Sequence, residues 1–198
     1  SVTPYIQRKL EQYGITGRDA AGTPISKAKP TLLLDAVASF LSSKSFTSYV
    51  WLLRHPDIQQ LLPRKDSAID DLDEYFNRHF PVRFTGKLQT YPKEREERLI
   101  ANYQRIEELL GELTAVHKKS ITDWIAELKT FLSNVYGEST LLPQIQETDR
   151  VLVETFEQFK IVFEKCSRLP NEVLPRMIAA EAMSFVLQEL SSVNIPPH

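Results

Sequence analysis

Hydrophobic residues recur at three- and four-residue steps along most of the chain, which is the spacing that places them on one face of an α-helix. In the first third this pattern predicts helices over 4–13, 30–41 and 46–53, with one or two further turns over 57–62. Residues 15–29 contain two glycines and a proline among few periodic positions. They predict a short extended segment and a turn.

Ser67 and Asp70 stand at the spacing of a capping box, so a helix is predicted to begin there. Residues 80–92 hold two prolines and a glycine and are predicted to form the longest connection.

The second half has longer patterns. We predict helices over 93–117, over 120–137 with Ser120 and Asp123 as its cap, between Pro143 and Pro170, and over 174–193. Four long amphipathic helices joined by short loops are typical of an antiparallel bundle. The predicted fold is therefore all-α, a bundle of about seven to eight helices with four long C-terminal helices and a short extended N-terminal segment.

Composition narrows the class of protein. The 198 residues are 42% hydrophobic, which is enough for one core, and no apolar run approaches the roughly 18 residues that span a bilayer. The single cysteine, Cys166, excludes an internal disulfide and any site built from several cysteines. We therefore expect a cytoplasmic domain with no membrane partner.

The common enzyme motifs are missing from the sequence. There is no glycine-rich phosphate loop and no nucleophile elbow. The histidines at 55, 79, 117 and 198 are too far apart to share a helix turn, and each is predicted to be a surface or boundary residue. Asp123 with Glu127 and Lys129 superficially resembles a nuclease metal site, but a solvated helix face explains these residues better. The acids of 66–74 are interpreted as helix-start charge. No catalytic activity, cofactor or metal is predicted.

Three local features have structural interpretations as well as functional ones. Trp51 and Trp124 could stack on bases, but their helical spacing favours the core. Cys166 lies on the apolar stripe of its helix and is expected to be buried. The run 54–57 (Arg-His-Pro-Asp) is interpreted as a basic helix end followed by a turn.

Charge is distributed unevenly along the chain. Residues 1–65 hold nine basic and four acidic side chains, a net +5, whereas the rest of the chain carries −7. A basic segment can face a phosphate backbone, although asymmetry of this size is also common on solvated surfaces.

Several short motifs follow one another in a familiar order. Gly14 and Ile15 precede 19–25 (Asp-Ala-Ala-Gly-Thr-Pro-Ile), the helix 32–41 and 52–57 (Leu-Leu-Arg-His-Pro-Asp). In this order and spacing they resemble AddB-type subunits of ATP-dependent helicase–nucleases, proteins of the PD-(D/E)XK superfamily. The closing segment 180–197 also resembles that family.

The resemblance implies that the chain is a fragment of a larger protein. Residues 1–28 would be the edge of a RecA-like motor domain of the 2A type, and 29–198 the helical insertion called domain 2B. The nuclease centre and its iron–sulfur cluster would lie elsewhere in the parent chain. The fragment would be a non-catalytic part of a DNA double-strand-break-repair enzyme that holds duplex or forked DNA without reading its sequence and contacts other domains or the helicase subunit.

The candidate DNA-binding residues are the basic side chains of the +5 segment that would meet phosphates: Arg18, Lys27, Lys29, Lys44, Arg54, Arg64 and Lys65. The alternative is a protein-interaction scaffold with no nucleic-acid binding, whose acidic bundle docks on another subunit.

Overall fold

The computed structural model describes residues 9, 12–13, 23–63, 65–84, 92–137, 147–169 and 175–195. Over these residues the chain is an all-α helical bundle, as predicted. Its α-helices are α1 (Lys29–Ser43), α2 (Phe46–Leu53), α3 (Pro56–Gln59), α4 (Lys65–His79), α5 (Lys93–Leu110), α6 (Ile121–Tyr136), α7 (Glu147–Ser167) and α8 (Ala179–Leu190). Ile25–Lys27 and Gly111–Thr114 form 3₁₀ helices, and β1 (Thr23–Pro24) pairs with β2 (Asn194–Ile195).

Helix α1 supplies much of the core. It packs along α8 and α2, and Leu33, Leu34 and Val37 have no exposed surface. Met183 and Val186 of α8 are buried equally completely. Because α1 meets neighbours on several sides, its apolar residues occupy more than one narrow stripe.

An aromatic cluster joins α2, α4, α5 and the segment after α4. Its rings, which we call the Tyr49 cluster, are those of Phe46, Tyr49, Tyr75, Phe84 and Tyr103. The ring of Tyr49 stacks on that of Phe84 with centroids 4.5 Å apart and lies 5.7 Å from that of Tyr103. Every member is buried. Four separate segments are therefore held together through one set of ring contacts.

Helices α6 and α7 form an antiparallel pair. The ring of Tyr136 lies 5.1 Å from that of Phe156, and the Lys129 ammonium lies 6.0 Å from the Phe163 ring. Trp124 of α6 is fully buried, and its indole N–H donates to the Met177 carbonyl at 2.7 Å. That bond ties α6 to the segment that leads into α8.

The strands β1 and β2 bring distant parts of the chain together. Thr23 pairs with Ile195 in an antiparallel register, and the Ile25 amide donates to the Val193 carbonyl at 3.1 Å. Ile25 and Ile195 are both buried in the core. Residues 23–28 thus pack on the bundle. Most of residues 1–22 lie outside the described part, so the division at residue 28 stays a prediction.

Several predicted helix ends are wrong, including that at residue 193, since α8 ends at Leu190. The helix predicted over 93–117 ends at Leu110, because Gly111 adopts a positive φ of 47° that a residue with a side chain rarely takes. The helix predicted from residue 174 begins at Ala179, where the Glu181 carboxylate accepts from the Ile178 amide at 2.9 Å. Its 12 residues make it shorter than the three helices before it.

The start predicted at Ser67 is also wrong. Helix α4 begins at Lys65, and the Ser67 hydroxyl bonds the Asp71 carboxylate instead of capping the helix. By contrast, the capping box of Ser120 and Asp123 at the start of α6 is confirmed.

Among the helices that the structure describes, none combines the length and the apolarity that crossing a membrane requires.

Candidate nucleic-acid interface

The amino-terminal end of α1 carries two exposed lysines, Lys27 and Lys29. Its N-cap is Ala28, its first turn contains no acidic residue, and neither lysine forms an ion pair within the described part of the chain. The positive end of the helix dipole and both ammonium groups therefore act in the same place. This combination attracts an anion.

The corner between α2 and α3 is attached to the same end of α1. His55 is the N-cap of α3, and its Nδ1 accepts from the Asp57 amide at 3.3 Å. Its Nε2 lies 3.1 Å from the Lys29 carbonyl oxygen. Since that oxygen can only accept, Nε2 carries the proton and the ring is neutral.

Burial lowers the pKa of His55, although Asp57 and the Lys29 carbonyl oppose the shift. The neutral ring therefore fixes the corner against α1 at neutral pH. This side chain is buried, whereas the sequence predicted a surface or boundary histidine. His55 links α3 to α1 through Lys29, which is 26 positions away in the sequence. Local sequence spacing does not predict that contact.

Arg54 lies directly before this histidine, at the C-cap of α2. The helix end predicted in 54–57 is confirmed at Arg54, but Pro56 and Asp57 begin α3 instead of forming a turn. One guanidinium nitrogen of Arg54 donates to both carboxylate oxygens of Asp73, at 3.0 and 3.1 Å. Both side chains are about half exposed. A surface pair of this kind contributes about 0–1 kcal/mol. A phosphate can therefore replace Asp73 at little cost.

Trp51 was predicted to lie in the core, and the structure shows otherwise. Its side chain is 47% exposed, because α2 presents that side to solvent. Trp51 precedes Arg54 by three residues, so the two lie on one face of α2. The other tryptophan, Trp124, is in the core as predicted. An exposed indole beside a cation is suited to stacking on an unpaired base.

Lys44 lies at the other end of α1, about 22 Å from Lys29 along the helix axis. Its backbone has a left-handed φ of 49° and its ammonium lies 4.5 Å from the Phe40 ring centroid. Burial lowers its pKa, with Glu107 opposing. Lys44 is therefore separate from the other cations.

The structure thus places four of the seven candidate residues. Lys27, Lys29 and Arg54 lie at or beside one end of α1, and Lys44 lies at the other. Arg18 and Arg64 lie outside the described residues. For Lys65 the structure describes the backbone but not the side chain.

Asp71 and Glu74 of α4, like Asp73, form ion pairs. Asp71 accepts from Arg98 at 2.7 and 2.8 Å, and this hydrogen bond holds the pKa of Asp71 below its usual value. Glu74 pairs with Arg95 and Arg78. These acids link α4 to α5 rather than form a cation site. In the described ranges no group of three or more histidine, cysteine or acidic side chains could hold a metal.

The residues that superficially resemble a nuclease site also have structural partners. Asp123 belongs to the capping box of α6, and Glu127 accepts from Lys119 at 3.1 Å. Cys166 is buried, as predicted, and burial raises the pKa of its thiol.

Comparison of the chain with family models, with curated proteins and with solved structures finds no match. The motifs quoted from the sequence therefore remain the basis for the resemblance to AddB-type subunits.

Proposed function

We propose that the chain is a non-catalytic helical domain of a DNA double-strand-break-repair helicase–nuclease subunit, resembling domain 2B of the AddB type. It contributes contacts to the DNA backbone and to neighbouring domains. The observation that carries the proposal is the pair of exposed lysines at the uncapped, acid-free start of α1, which have no ion-pair partner among the described residues. The motif order and the net +5 of residues 1–65 support it.

The geometry favours a junction between duplex and single-stranded DNA. Lys27 and Lys29 provide two phosphate contacts at the positive end of α1, and Arg54 provides a third when it leaves Asp73. Trp51 lies one turn from Arg54 and offers a surface for an unpaired base. None of these contacts reads sequence.

The test is a salt titration of binding to a forked DNA, starting at about 50 mM salt. Each phosphate contact contributes about 0.9 to the slope of log K against log salt. We expect the double variant Lys27→Ala/Lys29→Ala to lower that slope by about 2 and to weaken binding at least tenfold.

The matched control is Lys93→Ala/Lys118→Ala, which removes two other exposed lysines and the same net charge. It should bind as the wild type does. Equal loss in both double variants, or no binding of the wild-type chain at about 50 mM salt, would remove the DNA role.

Tryptophan fluorescence tests whether Trp51 contacts the single-stranded part of a forked DNA. Trp124 is buried, so quenching by a forked DNA is expected to come from Trp51 and to disappear in Trp51→Phe. Quenching that persists in this variant would contradict the stacking.

A protein-interaction scaffold is the second candidate, and one surface favours it. Phe80 and Val82 are 69% and 83% exposed, and the Phe76 ring lies 5.7 Å from that of Phe80. Exposed apolar side chains that lie together are typical of protein contacts. This candidate predicts no affinity for DNA and a complex with the remainder of the parent polypeptide that Phe80→Ser weakens.

A further inference from the structure

An apolar groove runs between α6 and α7, and its Tyr136 end reaches Asp57 of the corner between α2 and α3. It has a volume of about 370 Å³ and is open on one side. This volume is within the range of about 300–1,000 Å³ that small-molecule sites occupy. Its apolar lining is mainly aromatic: Leu132, Tyr136, Phe156, Phe159 and Phe163. We call it the α6–α7 groove.

The rings form a continuous row along one wall. Phe159 lies 6.1 Å from Phe156 and 5.6 Å from Phe163 between ring centroids, and Tyr136 closes one end against Phe156. The Tyr136 hydroxyl donates to Asp57 at 2.7 Å, which fixes that end. Phe159 and Phe163 are buried, whereas Phe156 and Tyr136 are partly exposed, so an alkyl chain meets the row mainly at the Tyr136 end.

Two lysines, Lys129 and Lys160, lie on opposite walls. Lys129 of α6 is opposite Phe163 of α7, and Tyr136 of α6 is opposite Phe156 of α7. Each step of seven residues along α6 thus corresponds to seven residues back along α7, so the two helices keep the same antiparallel register. In that register Lys160 faces Leu132, about 4.5 Å along the axis from Lys129. Lys160 therefore lies between Lys129 and Glu157 along the groove, and both lysines belong to the half of the groove that is further from Tyr136.

Neither lysine has a carboxylate partner among the described residues, whereas Lys119 and Lys165 are both ion-paired. The acid in the lining, Glu157, lies on α7 nearly one turn further toward Tyr136. One half of the groove is thus cationic, and the other half is apolar with Glu157 at its rim and Asp57 beyond Tyr136.

We propose that the α6–α7 groove binds a monoanionic amphiphile of the medium-chain fatty carboxylate type. The carboxylate lies between Lys129 and Lys160, and the alkyl chain follows the rings toward Tyr136. The distance from Lys129 to Tyr136 along the helix is about 10 Å. Glu157 repels a head group at the wrong end and so sets the direction of the ligand.

A partner helix fits this groove less well than a small ligand does. About 10 Å corresponds to only two turns of helix, which gives few anchoring positions. The positive charge of Lys129 and Lys160 is also confined to one part of the groove, which matches a ligand with a single anionic head group.

The experiment is a calorimetric titration of the chain with decanoate, with decanol and decyltrimethylammonium as neutral and cationic probes of similar length. For a ligand of this size we expect a Kd on the order of 0.1–1 mM for decanoate. Decanol should bind at least fivefold more weakly, and the cation should not bind detectably.

Two variants locate the site. Lys129→Ala/Lys160→Ala should weaken decanoate at least tenfold and leave decanol unchanged, and Ser133→Trp should fill the groove and abolish binding of both. Ser133 is exposed on the groove wall, so the substitution is compatible with the fold, which circular dichroism checks. The control Lys93→Ala/Lys118→Ala should bind decanoate as the wild type does.

Equal affinity for decanoate and decanol, or an unchanged affinity in the double lysine variant, would overturn the proposal. Self-association that Ser133→Trp abolishes, without decanoate binding, would show a second copy in the groove and would overturn it too. The result is independent of the DNA titration, because the two experiments change different helices.

Discussion

The Tyr49 cluster and the α6–α7 groove are both built from aromatic residues at helical spacing, yet one is closed and the other open. In the Tyr49 cluster four segments converge, so each ring is covered on several sides and the members are buried. In the groove two antiparallel helices meet, and Tyr136 and Phe156 remain partly exposed although Phe159 and Phe163 are buried. The number of segments that converge, rather than the residue type, decides whether every ring is covered or some remain partly exposed.

The largest expected effect tests this difference directly. Phe84 contacts Phe46, Tyr49, Tyr75 and Tyr103. Phe84→Ala should lower the free energy of unfolding by about 3–5 kcal/mol, because a buried ring leaves a cavity. Phe156→Ala in the groove should cost only about 1–2 kcal/mol, because that ring is already partly in water. Urea denaturation measures both, and equal losses would contradict the comparison.

An intermediate effect concerns the ion pair beside the closed cluster. The hydrogen bond from Arg98 lowers the pKa of Asp71 in the folded state below its ordinary value of 3.8. The carboxylate therefore stabilises the fold above that value, and this stability is lost as pH falls through the folded-state pKa. The free energy of unfolding of the wild type should exceed that of Asp71→Asn by about 1–3 kcal/mol at neutral pH. This difference should become smaller below about pH 4.

Urea denaturation of both proteins between about pH 7 and pH 3 measures this difference. Glu97→Gln is the control, since Glu97 is exposed, lies beyond the first turn of α5 and has no ion pair within the described residues. It should follow the wild type throughout. A difference between wild type and Asp71→Asn that does not change with pH would show that the charge is not what matters.

The smallest expected effect comes from replacing one tyrosine with phenylalanine in each region, and the free energy of unfolding should change in opposite directions. The Tyr49 hydroxyl is buried without a hydrogen-bond partner in the described part of the chain, and burial raises its pKa well above the ordinary value. Tyr49→Phe should therefore raise the free energy of unfolding by up to about 1 kcal/mol. Tyr136→Phe loses the hydrogen bond to Asp57 and should lower it by about 1 kcal/mol. Thermal denaturation compares them, and two changes of the same sign would contradict this assignment.

Hydrophobic periodicity predicts the helices well where the signal is local. The bounds of α2, the capping box of α6 and the burial of Trp124 and Cys166 all follow from neighbouring residues. Each depends on contacts within a turn or on one regular stripe.

Features that depend on distant residues could not be predicted in this way. Trp51 is exposed because no described segment covers that side of α2, and Asp71 meets Arg98 from 27 positions away. The groove depends on how closely α6 and α7 approach each other, which composition does not determine. The same limit applies to the interface, since the sequence grouped Lys29 and Lys44 by charge although one helix separates them.

The pairing of β1 with β2 has a consequence for how this bundle can be used in a larger polypeptide. Thr23 and Ile195 are directly opposite in the ladder, so the backbone enters and leaves at points about 5 Å apart. Such a unit can be grafted into a surface loop of a host protein without stretching the host. Joining the two strands through a short linker and opening the chain elsewhere should likewise give a circular permutant with the same arrangement of helices.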